Sequence, residues 1–164
     1  MLQQYENILY CTGLADETSF AACHALSVAQ QTGAKLHILH VAEPLSNEAL
    51  LTIETYLDGF TNRKDFDKQR IQRAKDLLNE RMEKLLGNVP EGAPDPKETV
   101  ASVEVIAQAH PAEAILKRAK ALNCDMIVMG MHQKGRSRAI IGSVSKQVVH
   151  LSSIPVMLVP LYGT

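Results

Sequence analysis

The sequence predicts a single α/β domain in which a parallel sheet carries helices on both faces. Three observations predict it. Five short apolar runs rich in Val, Ile and Leu recur along the 164 residues: 7–12 (NILYCT), 35–42 (KLHILHVA), 102–108 (SVEVIAQ), 125–130 (DMIVMG) and 155–160 (PVMLVP). Runs of four to eight such residues are what strands buried on both faces look like. Helical patterns separate the runs, and alternating strands and helices build right-handed βαβ units. The length suits one domain, which buries roughly 70% of its unfolded surface.

The helices follow in order. Residues 17–32 place Phe20, Cys23, Leu26 and Ala29 about three apart and stop at Gly33. Residues 63–87 line up Ile71, Ala74, Leu78, Met82 and Leu85, with Glu80 and Lys84 as an i,i+4 pair and Gly87 as the stop. Residues 111–122 open on Pro111, carry Ile115, Leu116 and Ala119, and end at Asn123. Residues 143–152 carry Val144, Val148, Val149 and Leu151. The second crossover is long. Its segment 46–62 is expected to hold a short helix, and the insertion at about 44–62 reads as a lid or partner contact. Residues 87–99 read as a Pro/Gly loop.

Composition excludes several classes. A net charge of −1 gives no global attraction to nucleic acid or to an anionic membrane. Aromatics at 4% with no Trp argue against a stacking platform for single strands. No apolar run approaches transmembrane length and the N-terminus shows no signal-peptide pattern, so a soluble cytoplasmic protein is expected. The three cysteines form no CxxC and read as buried thiols in a reducing compartment. His37 and His40 sit at odd spacing and point to opposite faces, so they are not a chelating pair. Asp16 and Glu17 read as first-turn acids. The sequence shows no catalytic constellation and no metal motif.

Chemistry concentrates in residues 130–145, GMHQKGRSRAIIGSVS. GMHQKGRS nearly spells a P-loop, but Arg136 stands where the phosphate lysine belongs, and a forked guanidinium does not replace a compact ammonium. The helix also starts later, at Gly142 and Ser143, and no strand ends in a Walker B acid. A second reading uses both ends of the loop. Gly130 ends a strand and leaves bare backbone, and Gly142 and Ser143 open a helix whose free N–H groups hold an anion. Ser143 and Ser145 add hydroxyls, and Lys134, Arg136 and Arg138 add charge. The plainer reading is a glycine-hinged loop with a Ser N-cap and solvated basic residues.

Three stretches then carry a resemblance. NILYCTGLADETSFAACHALSVAQQTGAKLHILHV (7–41), HPAEAILKRAKALNCDMIVMGMH (110–132) and GSVSKQVVHLSSIPVMLVP (142–160) resemble the universal stress protein family, over nearly the full length. The resemblance implies one domain over 1–164 with a Rossmann-like, adenine nucleotide alpha hydrolase-like sheet of five parallel strands in the order 3-2-1-4-5. It implies a homodimer pairing through 155–160, an unidentified protein partner, and ATP or AMP as ligand, with or without Mg²⁺.

Nucleotide-binding members carry G-x2-G-x9-G-[ST] in the final loop. Gly130 fits the first glycine and Gly142-Ser143 the last pair. Gln133 takes the second glycine's place, and eight residues, 134–141, follow it instead of nine. The first strand's usual terminal Asp is Gly13 here, after Thr12. Val41 matches the position whose backbone recognises adenine. Met129, Gly130, His132, Ser143, Val144 and Ser145 fall where members contact ribose and phosphates, with Arg136 or Arg138 closing over them. The expectation is therefore a nucleotide-binding regulatory module of the stress response, with at most slow ATP hydrolysis. The alternative, motivated by Gly13 and Gln133, is a non-nucleotide-binding dimer acting through protein partners.

Overall fold

The computed structural model describes residues 2–14, 18–56, 63–133 and 139–161. In chain order the elements are β1 (Asn7–Cys11), α1 (Thr18–Thr32), β2 (Lys35–Ala42), α2 (Asn47–Tyr56), α3 (Arg63–Gly87), α4 (Pro96–Thr99), β3 (Val100–Ala107), α5 (Pro111–Ala121), β4 (Met126–Gln133), β5 (Ala139–Ile140), α6 (Ser143–Leu151) and β6 (Val156–Pro160). The parallel strands stand in the order β3-β2-β1-β4-β6, which is the expected 3-2-1-4-5 with β6 as the fifth long strand. β5 is a two-residue strand antiparallel to β4. The sequence reading anticipates neither β5 nor α4. Asp95 caps α4 by accepting from the Lys97 backbone N–H at 2.9 Å, with Pro96 in its first turn. The insertion does hold a helix, α2, while residues 57–62 lie outside the described residues.

The period-2 alternation of the central strands divides the interior into two cores. Ile8, Tyr10, Leu36, Ile38 and Val128 face α1 and α3, where Ala74, Leu78 and Met82 meet them. Leu9, Cys11, Leu39, Ile127 and Met129 face α5 and α6, where Ala112, Ile115, Ala119 and Val148 meet them. This two-sided burial is why the strands read as unbroken apolar runs. Gly33 (φ +72°) and Asn123 (φ +51°) stop α1 and follow α5 in the left-handed region that these residues tolerate. Asp125 ties down the opposite end of the sheet: its carboxylate accepts from the Glu6 and Asn7 backbone N–H groups.

Two helix faces differ from expectation. On α1 the core face is Ala21, Ala22, Ala25, Leu26 and Ala29, while Cys23 is exposed and Phe20 is 45% exposed. Three-residue spacing turns 300° per step and drifts off a face, and small side chains let a helix approach a sheet closely. Phe20 instead packs edge-on to His24 at 4.6 Å. The thiols of Cys11 and Cys124 are buried as expected, but that of Cys23 is not. On α6, Val148 is buried whereas Val149 and Leu151 are exposed.

His37 and His40 are separately engaged. His37 Nε2 donates to Asn7 Oδ1 at 3.2 Å, which leaves Nδ1 to accept from the Ser102 hydroxyl at 2.8 Å. The neutral ring satisfies both partners. Burial, the largest cause, pushes the His37 pKa below its ordinary 6.5, with Glu104 opposing and Arg118 assisting. The unfolded chain therefore takes up the proton first as pH falls. The stability His37 contributes is present above pH 6.5 and is lost as pH drops through the lower folded value. Thermal unfolding from pH 7 to pH 5 should show a falling midpoint, with a shallower slope in His37→Gln. An unchanged slope in that variant would remove His37 from the account.

Candidate nucleotide cleft

β2 and β3 lie on one side of β1, and β4 and β6 on the other. The chain direction across the sheet thus reverses between β1 and β4, and ligands of open parallel sheets bind outside the strand carboxyl ends at such a reversal. A cleft opens there with about 700 Å³ of space, mouth included. Thr12 and Gly13 line it from the end of β1, Val41 from β2, Met129 and Gly130 from β4, and Val144 and Ser145 from α6. Seven expected site residues, from four segments of chain, therefore share one cavity.

The loop's two ends behave differently. Gly142 is the N-cap of α6 with φ −63° and ψ 163°, its carbonyl accepts from Lys146 N–H at 2.9 Å, and no side chain among the described residues caps the helix. Ser143 is the first helical residue, not the N-cap of the plainer reading, so its hydroxyl does not fill the role of capping oxygen. The first N–H groups of a helix lack intrahelical acceptors and carry the positive end of the dipole. Ser145, only 6% exposed, adds a hydroxyl one turn in. Gly130 does not end its strand. It pairs with Val159 in the middle of β4, which runs on to Gln133. A Cβ at Gly130 would lie 3.0 Å from Leu161 Cδ1, so close packing against Leu161 is a reason for glycine that the sequence does not reveal. His132 is paired with Ile140 in the β4–β5 ladder. Arg136 and Arg138 lie outside the described residues, as do Lys134, Asp16 and Glu17.

His40 lines the cleft beside Val41 and was not among the expected site residues. Its Nδ1 lies 2.8 Å from the Thr12 carbonyl, which can only accept, so Nδ1 carries the proton and Nε2 of the neutral ring is an acceptor. Its place at a strand carboxyl end is the signal that could have found it. Leu161, Tyr10, Leu39 and Ile115 supply apolar wall. Cys11 also lines the cleft, but burial, reinforced by Cys124, drives its thiol pKa far above the ordinary value. A thiol held neutral is a poor nucleophile.

The family model for the universal stress protein family matches residues 4–160. The chain belongs to the universal stress protein family. A universal stress protein of Thermus aquaticus is 32% identical over 156 residues, covering 94% of this chain and 98% of the relative. The universal stress protein YxiE of Bacillus subtilis is 30% identical over 158 residues, with 94% and 99% covered. Among solved structures, UspA of Lactobacillus plantarum superimposes with a TM-score of 0.68 at 22% identity, covering 96% of this chain and 99% of that one. Two further universal stress proteins of the same fold were solved with adenine nucleotides. One is in complex with cAMP (TM-score 0.58, 20% identity) and one, from Archaeoglobus fulgidus, with dAMP (TM-score 0.53, 17% identity). No helix among the described residues of this universal stress protein is long and apolar enough to cross a membrane.

Proposed function

We propose that this universal stress protein binds an adenine nucleotide in the cleft and serves as a regulatory module of the stress response. The observation that carries the reading is the uncapped start of α6 at one end of a cleft whose other end is Val41. The α6 amides and Ser145 would hold phosphate, as helix N-termini do. The Val41 backbone would meet the adenine edge. His40 Nε2 would accept from a ribose hydroxyl or the adenine amine. Arg136 or Arg138 would close over the phosphates. The cAMP and dAMP complexes of family members support the choice of ligand. Glu43 is the lone carboxylate among the described residues lining the cleft, so any Mg²⁺ would be carried chiefly by the phosphates of ATP. With Cys11 neutral, the described lining offers no activated thiol for covalent catalysis.

A ligand that binds only the folded chain raises the melting midpoint. At a hundredfold excess over Kd, AMP should add about 2.7 kcal/mol, or roughly 5–10 °C for a chain of this size. GMP at the same concentration should add little. Equal shifts with both would mean that the base is not read.

The same reading includes a dimer. Among the described residues β6 pairs with β4 alone and none covers its outer edge, and the exposed Val149 and Leu151 lie on the helix that leads into it. A second copy pairing along 155–160 would cover that edge and those side chains.

A further inference from the structure

We infer that the cleft continues past β2 into a second anion subsite, held by Arg70 with Arg73 at its rim, and that this subsite takes a second phosphate carried on the ribose of the bound adenosine. The inference rests on the nucleotide reading above and names a narrower ligand class, adenosine bisphosphates. Arg70 has the one buried side-chain nitrogen or oxygen that lacks a hydrogen-bond partner among the described residues, its Nε. Its Nη2 donates to the Glu43 carbonyl, a neutral acceptor, and no ion pair among the described residues engages it. A guanidinium whose fork is only half used is an unusual thing to keep next to a cavity.

That cavity is lined by Leu14, His40, Glu43, Arg70 and Arg73, among others, and shares His40, Val41 and Glu43 with the main cleft. Arg70 and Arg73 stand three residues apart on α3 and so present their side chains on the same side of the helix. Arginine, unlike lysine, meets phosphate with two parallel N–H bonds. The second cavity adjoins the main cleft at the end of β2, whereas α6 lines the main cleft through Val144 and Ser145. β2 is two strands from β4, a separation of roughly 10 Å. One phosphate cannot reach both, whereas an adenosine whose base meets Val41 and whose 5′ phosphate meets α6 can turn a 2′ or 3′ phosphate past His40, which lines both cavities, toward Arg70. To bind, Arg70 rotates away from the Glu43 carbonyl, which turns its orphaned Nε–H and an Nη–H onto the phosphate oxygens. Glu43, the carboxylate at the shared rim, disfavours an anion there, so the preference must come from the two arginines together.

Calorimetry on the ligand-free protein tests this with AMP, adenosine 3′,5′-bisphosphate and its 2′,5′ isomer. The expected result is that at least one bisphosphate binds roughly tenfold or more tightly than AMP at low salt, and that the gap narrows as salt rises. Arg70→Met and Arg73→Gln should each reduce the gap while leaving AMP affinity unchanged, and Arg70→Lys should keep part of it. Arg73, exposed on the helix, guards against a folding defect in the Arg70 variants. If AMP binds and neither bisphosphate gains, or if the gain survives both substitutions, the subsite is overturned and the nucleotide reading stands. If none of the three ligands binds, the nucleotide reading fails and takes the subsite with it.

Discussion

Gly142→Val should fold as the parent does and lose adenine nucleotide affinity by at least about a hundredfold, or roughly 2.7 kcal/mol. The backbone permits the substitution. Gly142 sits at φ −63° and ψ 163°, a region open to any L residue. The N-cap loses something, because valine caps less well than glycine, at a cost of about 1 kcal/mol or less. On the proposed reading, the new isopropyl group would stand where phosphate oxygens approach the N–H groups of residues 143–145. Gly142→Ser, small and a good N-cap, should keep most of the affinity. An affinity within threefold of the parent in the valine variant, with the fold intact, would move the phosphates away from α6.

Gly130→Val should destabilise the fold by about 1–3 kcal/mol, the usual range for forcing extra methyl groups into a packed interior. The cause is specific. A Cβ at residue 130 would meet Leu161 Cδ1 at 3.0 Å, Cγ at 3.3 Å and Cδ2 at 3.4 Å, and Leu161 is only 3% exposed. Valine adds two further methyls in that crowded direction. Leu161 is also held through its backbone, which donates to the Met131 carbonyl at 3.3 Å, so it cannot simply withdraw. For a chain of this size the melting midpoint should fall by roughly 2–4 °C per kcal/mol. Combining Gly130→Val with Leu161→Ala should cost less than the sum of the two single changes, because the second removes the atoms that the first collides with. Additive costs would mean that the two residues do not share the space.

The strands were legible because a parallel sheet with helices on both faces leaves almost no polar position in its central strands. Ile8 to Cys11 and Leu36 to Leu39 are nearly continuous apolar text, and their order follows from short right-handed crossovers. The far end of β4 was not legible. Met131, His132 and Gln133 look like loop residues, and their strand conformation comes from pairing with β6 and β5, which no local pattern announces. The face of α1 misled for a related reason. Phe20 and Cys23 give the stronger hydrophobic signal, but the alanines at 21, 22, 25 and 29 are the side chains small enough to sit against the sheet.

In the cleft, the sequence pointed to residues at strand ends and at the start of α6, where spacing and glycines leave a trace. It did not point to His40, Leu161 or Arg70. Each earns its place from a partner distant in sequence: Thr12, Gly130 and Glu43 respectively. Such pairings exist only once the strands are side by side. Gly13, where the resemblance to the family leads one to expect Asp, leaves the β1 end of the cleft without a carboxylate among the described residues. The Thr12 hydroxyl donates to the Gly13 carbonyl at 2.6 Å, so the polar groups offered there are largely backbone.

The central claim is that the cleft between β1, β2, β4 and α6 holds an adenine nucleotide. Isothermal titration of the protein, stripped of copurifying ligand, with AMP tests it most directly. The account predicts a saturable heat with one site per chain, displaced by ATP and abolished in Gly142→Val. No heat at millimolar AMP or ATP, with no accompanying rise in melting temperature, would contradict it and would leave the dimer acting through protein partners as the surviving reading.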